Sequence, residues 1–154
     1  MYLSMSNSFV KFMHKTTNVK KLRLCASAKD DRRMCLPAQF FVSDLFKQLE
    51  HVDFKVKGII SDEDFLSSKA FYLMLRCDTI TDIAINEKIR LWYNSQVEFG
   101  AFEIKRSTRK LDQSVILHNL PVVNIDGSFK IRRQNGREGT IYFSSNRLIT
   151  FRVF

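Results

Sequence analysis

Residues 122–132 of the chain read VVNIDGSFKIR, and this stretch indicates the fold more directly than any other. Asp126-Gly127 is a pair that a type I′ turn prefers, because both central positions of that turn have positive φ. Val122-Val123 stands before the pair, and Ser128–Arg132 alternates apolar and polar side chains after it. The sequence therefore predicts an antiparallel β-hairpin centred on this turn.

Strand patterns continue on both sides of the predicted hairpin. Toward the C-terminus, strands are predicted at residues 139–143 and 148–154, on either side of the turn residues Ser144-Ser145-Asn146. Toward the N-terminus, short apolar or alternating runs predict further strands at residues 83–85, 88–93, 97–105 and 113–118. The second half of the chain is therefore expected to form an antiparallel meander.

The first half of the chain combines strands and helices. A polar–apolar alternation predicts a strand at residues 21–25, and a second strand is predicted at residues 54–60. Ser43 is the predicted N-cap of a helix whose apolar residues extend to Val52. A capping box at Ser61 predicts a second helix over residues 62–76. The expected fold class is α+β, with two helices packed on a mainly antiparallel β-sheet.

Length and composition are typical of one folded domain. The 154 residues include 14 Phe, and 45% of the chain is apolar, which is sufficient for a core without metals or disulfides. We expect a flexible basic N-terminal tail over residues 1–18 and a single α+β domain over residues 19–154. Three widely spaced cysteines favour a reducing compartment. No apolar run reaches the length of about 20 residues that a membrane helix needs, so any membrane contact is expected to be peripheral.

The charge distribution supplies the main candidate site. The chain has 25 Lys and Arg against 16 Asp and Glu, a formal charge of +9, which favours phosphate polymers or anionic lipid as partners. The first predicted set of membrane or ribonucleoprotein contacts comprises Lys11, Lys15, Lys20, Lys21, Arg23, Lys29, Arg32 and Arg33. The predicted secondary basic patch comprises Lys105, Arg106, Arg109, Lys110, Lys130, Arg132, Arg133 and Arg137.

Catalytic and metal-binding arrangements are not recognisable in the sequence. His14, His51 and His118 lack a neighbouring Cys or His at the spacing of zinc ligands, and Gly-rich phosphate loops are missing. Cys25 and Cys77 are interpreted as core residues, although a distant Cys–His pair stays an alternative. We therefore predict no enzyme activity, no metal, no cofactor and no small-molecule substrate.

An alternative use of the basic residues is base stacking. The predicted strands at residues 89–93 and 129–133 interleave Arg and Lys with aromatic side chains, a pattern found on sheets that bind single strands. The same spacing also fits side chains that face a core. Phosphate contact by Lys and Arg requires no such geometry, so it is the first expectation.

The segment from Lys20 to Cys77 resembles the matrix protein of rhabdoviruses. The matching pieces are Lys21-Leu22-Arg23-Leu24, Val42-Ser43-Asp44-Leu45, His51-Val52-Asp53 and the run from Ser68 to Leu75. In that family a basic tail leads into a strand, a helix, a short link, a second helix and a sheet-rich remainder. This chain lacks the Pro-Pro-x-Tyr motif of animal-virus members, so a plant-infecting member is the better fit.

The resemblance implies a non-enzymatic structural protein of the virion that bridges ribonucleoprotein and anionic membrane through basic surfaces. Its implied partners are a viral nucleoprotein–RNA complex, an anionic membrane surface and further copies of itself. It would be located in the virion and, in the host cell, in the cytoplasm, at the inner membrane face or in the nucleus. The alternative function is a viral RNA-binding accessory protein, such as a silencing suppressor or a movement-type factor.

Overall fold

The computed structural model describes residues 19–25 and 35–154, and their main feature is one nine-stranded sheet. The predicted tail and the cations Lys29, Arg32 and Arg33 lie outside the described residues. The strands are β1 Lys21–Leu24, β2 Cys35–Leu36, β3 His51–Gly58, β4 Tyr72–Arg76, β5 Ala101–Lys105, β6 Val122–Ile125, β7 Ser128–Arg132, β8 Glu138–Ser145 and β9 Leu148–Val153. The described helices are α1 Ala38–Phe41, α2 Asp44–Gln48, α3 Asp62–Ser67, α4 Asp82–Tyr93 and α5 Gln113–Ile116.

The sheet is mixed, so the expected mainly antiparallel arrangement is wrong for half of it. The strand order is β1-β3-β4-β5-β9-β8-β7-β6, and β2 also pairs with β3. The pairings among β1 to β5 are parallel, whereas β5-β9-β8-β7-β6 is antiparallel throughout. The sheet-dominated α+β class is confirmed, and the structure replaces the two expected helices by five short ones in the described residues.

The largest correction concerns residues 82–93, which form helix α4 rather than two short strands. Thr81 caps this helix by accepting a hydrogen bond from the Ala84 backbone N–H. Ile85, Ile89 and Trp92 recur at helical spacing and are fully buried. The period of the apolar residues is therefore helical over three turns. The alternation over residues 83–85 and 88–93 is too short to distinguish a strand from a helix. Residues 113–116 are also helical rather than extended.

The two helices predicted in the first half begin at the expected residues but end early. Ser43 accepts a hydrogen bond from the backbone N–H of Phe46, and Ser61 accepts one from that of Asp64, so both N-caps are confirmed. Helix α2 ends at Gln48, because the chain enters β3 at His51. Helix α3 ends at Ser67, because residues 72–76 form β4 between β3 and β5 instead of a second half of the helix.

The hairpin of residues 122–132 is confirmed. Asp126 and Gly127 have φ values of 49° and 79°, as a type I′ turn requires, and β6 pairs antiparallel with β7. Strand β6 is the edge of this half of the sheet. The C-terminal strand β9 lies between β5 and β8, so the apolar run from Leu148 does not form an exposed edge.

One face of the sheet carries the core. Successive parallel strands are joined by crossovers, and crossovers of one hand that advance in one direction place their helices on the same face. Phe65 of α3 packs edge-on against Phe102 of β5, and Trp92 of α4 packs against Phe151 of β9. Gly139 lies directly beneath this packing, with no room for a Cβ beside the Phe151 ring. Helices α3 and α4 therefore cover this face.

Along each strand, side chains alternate between the core face and the opposite face, and the opposite face is mostly polar. We call it the open face. Its side chains on β1, β3, β4 and β5 are Lys21, Arg23, His51, Asp53, Lys55, Lys57, Tyr72, Met74, Arg76, Ala101, Glu103 and Lys105. Those on β9, β8 and β7 include Thr150, Arg152, Tyr142 and Lys130.

Candidate functional site

Three adjacent parallel strands end in a cation on the open face. Lys57 of β3 is in register with Arg76 of β4, and Arg76 is in register with Lys105 of β5. Neighbouring strands lie about 4.8 Å apart, so the three Cα atoms form a short row across the sheet. The row stands at the carboxyl ends of the strands, which is where parallel sheets commonly bind ligands.

The loop that follows β5 adds further cations to this row. Arg76 Nε contacts Ser107 Oγ at 3.4 Å, and Arg147 Nη1 donates to the Ser107 carbonyl oxygen at 3.1 Å. Arg109 and Lys110 follow in the same loop, and both are exposed. We call this surface the basic end and define it by six residues: Lys57, Arg76, Lys105, Arg109, Lys110 and Arg147. The basic end extends over the ends of β3, β4 and β5 and the β8–β9 turn.

Asp78 fixes the shape of the basic end. Its Oδ1 accepts hydrogen bonds from the backbone N–H groups of Ser107 at 2.8 Å, Thr108 at 3.0 Å and Arg109 at 3.5 Å. Its Oδ2 lies 2.8 Å from Lys57 Nζ. Burial raises the pKa of Asp78, but the Lys57 ammonium and the three N–H groups outweigh burial, so its pKa lies well below the usual range. Asp78 therefore stays charged and holds the loop against β3.

A buried ion pair anchors the same loop to helix α4. The side chain of Arg106 is 0% exposed, and its Nη1 lies 2.9 Å from Asp82 Oδ1. Its Nη1 and Nη2 also donate to the carbonyl oxygens of Lys110 at 2.9 Å and Ile80 at 2.7 Å. Arg109 Nη2 reaches the other oxygen of Asp82 at 3.2 Å. Arg106 was predicted in the surface patch, but the structure places it inside, because a guanidinium can satisfy several acceptors at once.

The remaining residues of the predicted secondary patch separate into two places. Lys130 and Arg132 lie on β7, and Arg132 pairs weakly with Glu138 at 3.9 Å. Arg133 is buried, with its guanidinium 4.9 Å from the Trp92 ring centroid and its Nη1 2.6 Å from Glu98 Oε1. Arg137 pairs with the other oxygen of Glu98 at 2.5 Å. Only Lys105, Arg109 and Lys110 of the predicted patch belong to the basic end.

The predicted N-terminal set is represented by three described residues. Lys20 Nζ lies 2.8 Å from Glu50 Oε1, and Arg23 Nε lies 2.9 Å from Asp53 Oδ2. The Lys20, Glu50 and Arg23 side chains are more than half exposed and that of Asp53 is 27% exposed, so water screens both pairs. Lys21 is exposed on β1. Lys11, Lys15, Lys29, Arg32 and Arg33 lie outside the described residues.

Sequence reasoning missed three members of the basic end: Lys57, Arg76 and Arg147. Arg76 and Arg147 are isolated cations in the sequence, and Lys57 has only Lys55 nearby, two residues before it. The only signal for Lys57 and Arg76 is that each ends a strand of alternating pattern. That they lie side by side follows only once β3, β4 and β5 are known to be parallel, and the sequence pattern predicts residues 72–76 as part of a helix.

The cysteines and the described histidines differ in exposure, from the buried Cys77 to the exposed His118. Cys77 is buried as predicted, whereas Cys25 is exposed, so its assignment to the core is wrong. The His51 ring stacks on Tyr72 with centroids 6.3 Å apart. Within residues 19–25 and 35–154, no three His, Cys, Asp or Glu side chains are grouped as metal ligands would be.

The Trp92 side chain is fully buried in α4, so the stacking surface predicted at residues 89–93 does not exist.

Among the helices that can be described, none has the length and apolarity needed to cross a bilayer. No family model, curated protein or solved structure matches the chain.

Proposed function

We propose that this protein is a non-enzymatic structural protein of the viral matrix type, and that its basic end binds the phosphates of a ribonucleoprotein. The observation that carries the proposal is the gathering of six cationic side chains around a single loop and strand end. Asp78 and Asp82 contact members of this group. Asp78 is engaged by Lys57 and by backbone N–H groups, and Asp82 pairs with Arg109 and with the buried Arg106. With six cations against these two carboxylates, the surface keeps a positive excess.

The exposure of four of the six cations supports phosphate binding. Lys105, Lys110 and Arg147 are exposed, and the side chain of Arg109 is 49% exposed. Arg and Lys at such positions attract a phosphate backbone by charge and hydrogen bonding and need no base-specific contact. Arg106, by contrast, is fully engaged inside the protein and serves to hold the loop.

Contact with an anionic membrane is the second part of the proposal. A Lys or Arg near an anionic leaflet contributes roughly 1 kcal/mol, so several together give attachment that salt weakens. The chain carries a formal charge of +9, and the resemblance to rhabdovirus matrix proteins also points to bridging. We propose peripheral attachment through basic side chains and self-association of the bound copies.

The test compares two charge variants in RNA-binding and vesicle-flotation assays over a range of salt concentrations. Lys105→Gln/Arg147→Gln removes two cations from the basic end. Lys130→Gln/Arg132→Gln removes two cations from β7 and is the matched control, because the net charge changes equally. Single-stranded RNA binding depends on salt with a slope of about 0.7 per phosphate contact.

In the basic-end variant, the plot of log K against log salt concentration is expected to be less steep by about 1.4, because two phosphate contacts are lost. RNA binding should weaken roughly 10- to 30-fold at 0.1 M salt. The control is expected to change the affinity much less. Equal losses in both variants would show that only net charge matters and would refute a phosphate site at the basic end. Absence of flotation with anionic vesicles at any salt concentration would refute the bridging role.

The alternative function, an RNA-binding accessory protein, is favoured by one observation. The open face beside the basic end carries the stacked rings of His51 and Tyr72, which suit unpaired bases better than lipid. This alternative predicts RNA binding with no preference for anionic vesicles, so the same pair of assays separates the two functions.

A further inference from the structure

The open face has a depression that begins a few residues from the basic end. It has a volume of about 290 Å³ and is lined by Lys21, Leu22, Arg23, His51, Val52, Asp53, Tyr72 and Met74. These residues come from the adjacent parallel strands β1, β3 and β4. The depression therefore belongs to the rigid sheet rather than to a loop.

Two rings form one side of this depression. Lys21, His51 and Tyr72 are in direct register across the three strands. The His51 and Tyr72 rings are stacked, with an angle of 20° between their planes and 6.3 Å between centroids. Both side chains are half-buried, so the sheet holds the rings in place while part of their surface meets solvent. A ring held in this way loses little entropy when a flat ligand stacks on it.

The polar groups of the depression suit a nucleotide. Lys21 is exposed at one end of the ring row, and Arg23 lies on the same face two residues further along β1. Arg23 is paired with Asp53 at 2.9 Å, and this partly exposed pair presents guanidinium donors and a carboxylate acceptor. Phosphate oxygens need the cations, whereas base edges can use the acceptor. An aliphatic lipid chain would use none of these groups.

The depression and the basic end are connected along a single strand. Tyr72, Met74 and Arg76 alternate on the open face of β4, and Arg76 is the central cation of the row between Lys57 and Lys105. At about 3.3 Å per residue, the Cα atoms of Tyr72 and Arg76 are roughly 13 Å apart. An extended strand of a few nucleotides spans such a distance.

We propose that the open face binds single-stranded RNA in two parts: phosphates at the basic end and an unpaired base on the Tyr72 ring, beside His51. This inference rests on the proposed phosphate site and adds the ligand class, because only an unpaired base has a free ring face. Stacking is tolerant of sequence, so any of the four bases is expected to bind. A duplex should contact the basic end alone.

The experiment uses the full chain, a labelled single-stranded RNA 12-mer and a duplex of the same sequence. Tyr72→Leu removes the ring and keeps an apolar side chain, whereas Tyr72→Phe keeps the ring. Tyr142→Leu is the matched control, because Tyr142 lies on the same face of β8, three strands away from β4, and is 37% exposed. Fluorescence of the buried Trp92 reports whether each variant is folded.

Tyr72→Leu is expected to weaken binding of the single strand about 5- to 100-fold, and to leave its salt slope and duplex binding unchanged. Tyr72→Phe and Tyr142→Leu are expected to bind the single strand as the wild type does. If Tyr72→Leu does not fold, photo-crosslinking of a thiouridine-containing 12-mer to the wild type should label the peptide that contains Tyr72.

Failure of this inference can be told apart from failure of the proposed function. Single-strand binding that is insensitive to Tyr72→Leu but is weakened by Lys105→Gln/Arg147→Gln would overturn base stacking and leave phosphate binding intact. Loss of vesicle binding, rather than RNA binding, on Tyr72→Leu would also overturn it. Absence of any RNA binding by the wild type would overturn both.

Discussion

Replacing Lys88 by Met should destabilise the protein strongly, because this lysine is built into the junction of two helices. Lys88 lies on α4 and is 3% exposed. Its Nζ donates to the carbonyl oxygens of Phe65 at 2.9 Å, Leu66 at 3.0 Å and Ser68 at 3.0 Å. These carbonyls lie at the C-terminal end of α3, where backbone acceptors lack partners within the helix and a positive charge is favourable.

The expected loss follows from two opposing terms. A hydrogen bond that involves a charged group contributes about 1.5–3 kcal/mol, so three contribute roughly 6 kcal/mol. Burial lowers the pKa of Lys88 from 10.5 to about 8, which corresponds to a desolvation penalty of about 3 kcal/mol that the Met variant no longer carries. The net loss at pH 7 is therefore expected to be about 3 kcal/mol.

The loss should also grow at alkaline pH. Between pH 8 and 10.5 the unfolded chain binds more protons at Lys88 than the folded chain does, so the contribution of Lys88 to wild-type stability rises with pH in this window. The Met variant lacks this gain. The difference between the two proteins is therefore expected to increase by up to about 3 kcal/mol from pH 8 to 10.5.

Urea unfolding followed by Trp92 fluorescence measures both effects. The matched control is Arg90→Met on the same helix. The Arg90 side chain is 50% exposed, and its ion pair with Glu87 is long, with 3.8 Å between Nη1 and Oε2. This control should change the free energy of unfolding by less than about 0.5 kcal/mol. A Lys88→Met variant within about 1 kcal/mol of the wild type at pH 7, or a difference that stays flat above pH 8, would refute the reasoning.

Three further predictions concern the sheet. Burial raises the pKa of Cys77 from 9.0 to about 12, so the contribution of Cys77 to stability should fall as pH rises from 9 toward 12, by up to about 1.4 kcal/mol per unit. Urea unfolding at pH 8–11 should therefore show the stability of the wild type falling relative to that of Cys77→Ala. Gly139→Ala places a Cβ 2.5 Å from the Phe151 ring and should cost about 1–3 kcal/mol in thermal unfolding; an unchanged melting temperature would contradict this packing. In Gly127→Ala the new Cβ meets no atom within 4 Å, but the residue must keep φ at 79°, so backbone strain alone should cost about 1 kcal/mol in urea unfolding. Gly136→Ala, at φ 87° and with the same open space, is expected to lose a similar amount.

Local chemistry explains which parts of the fold could be predicted. The Asp126-Gly127 turn and the N-caps Ser43 and Ser61 are decided by contacts within about three residues, and all three are confirmed. Residues 72–76 and 82–93 were assigned the wrong structure, because their apolar residues fit either period over a short run. Pairing with neighbouring strands, and burial of one helical face against the sheet, decided between the two possibilities.

The same distinction applies to the candidate site. The sequence by itself determined a large positive charge, a sheet-rich fold and the hairpin of residues 122–132, since these depend on composition and on near neighbours. Only the tertiary structure decided that Lys57, Arg76 and Lys105 stand side by side while Arg106 and Arg133 are buried. The physical reason is that parallel register joins residues far apart in sequence, and a cation lies at the surface or inside according to the acceptors that the fold brings to it.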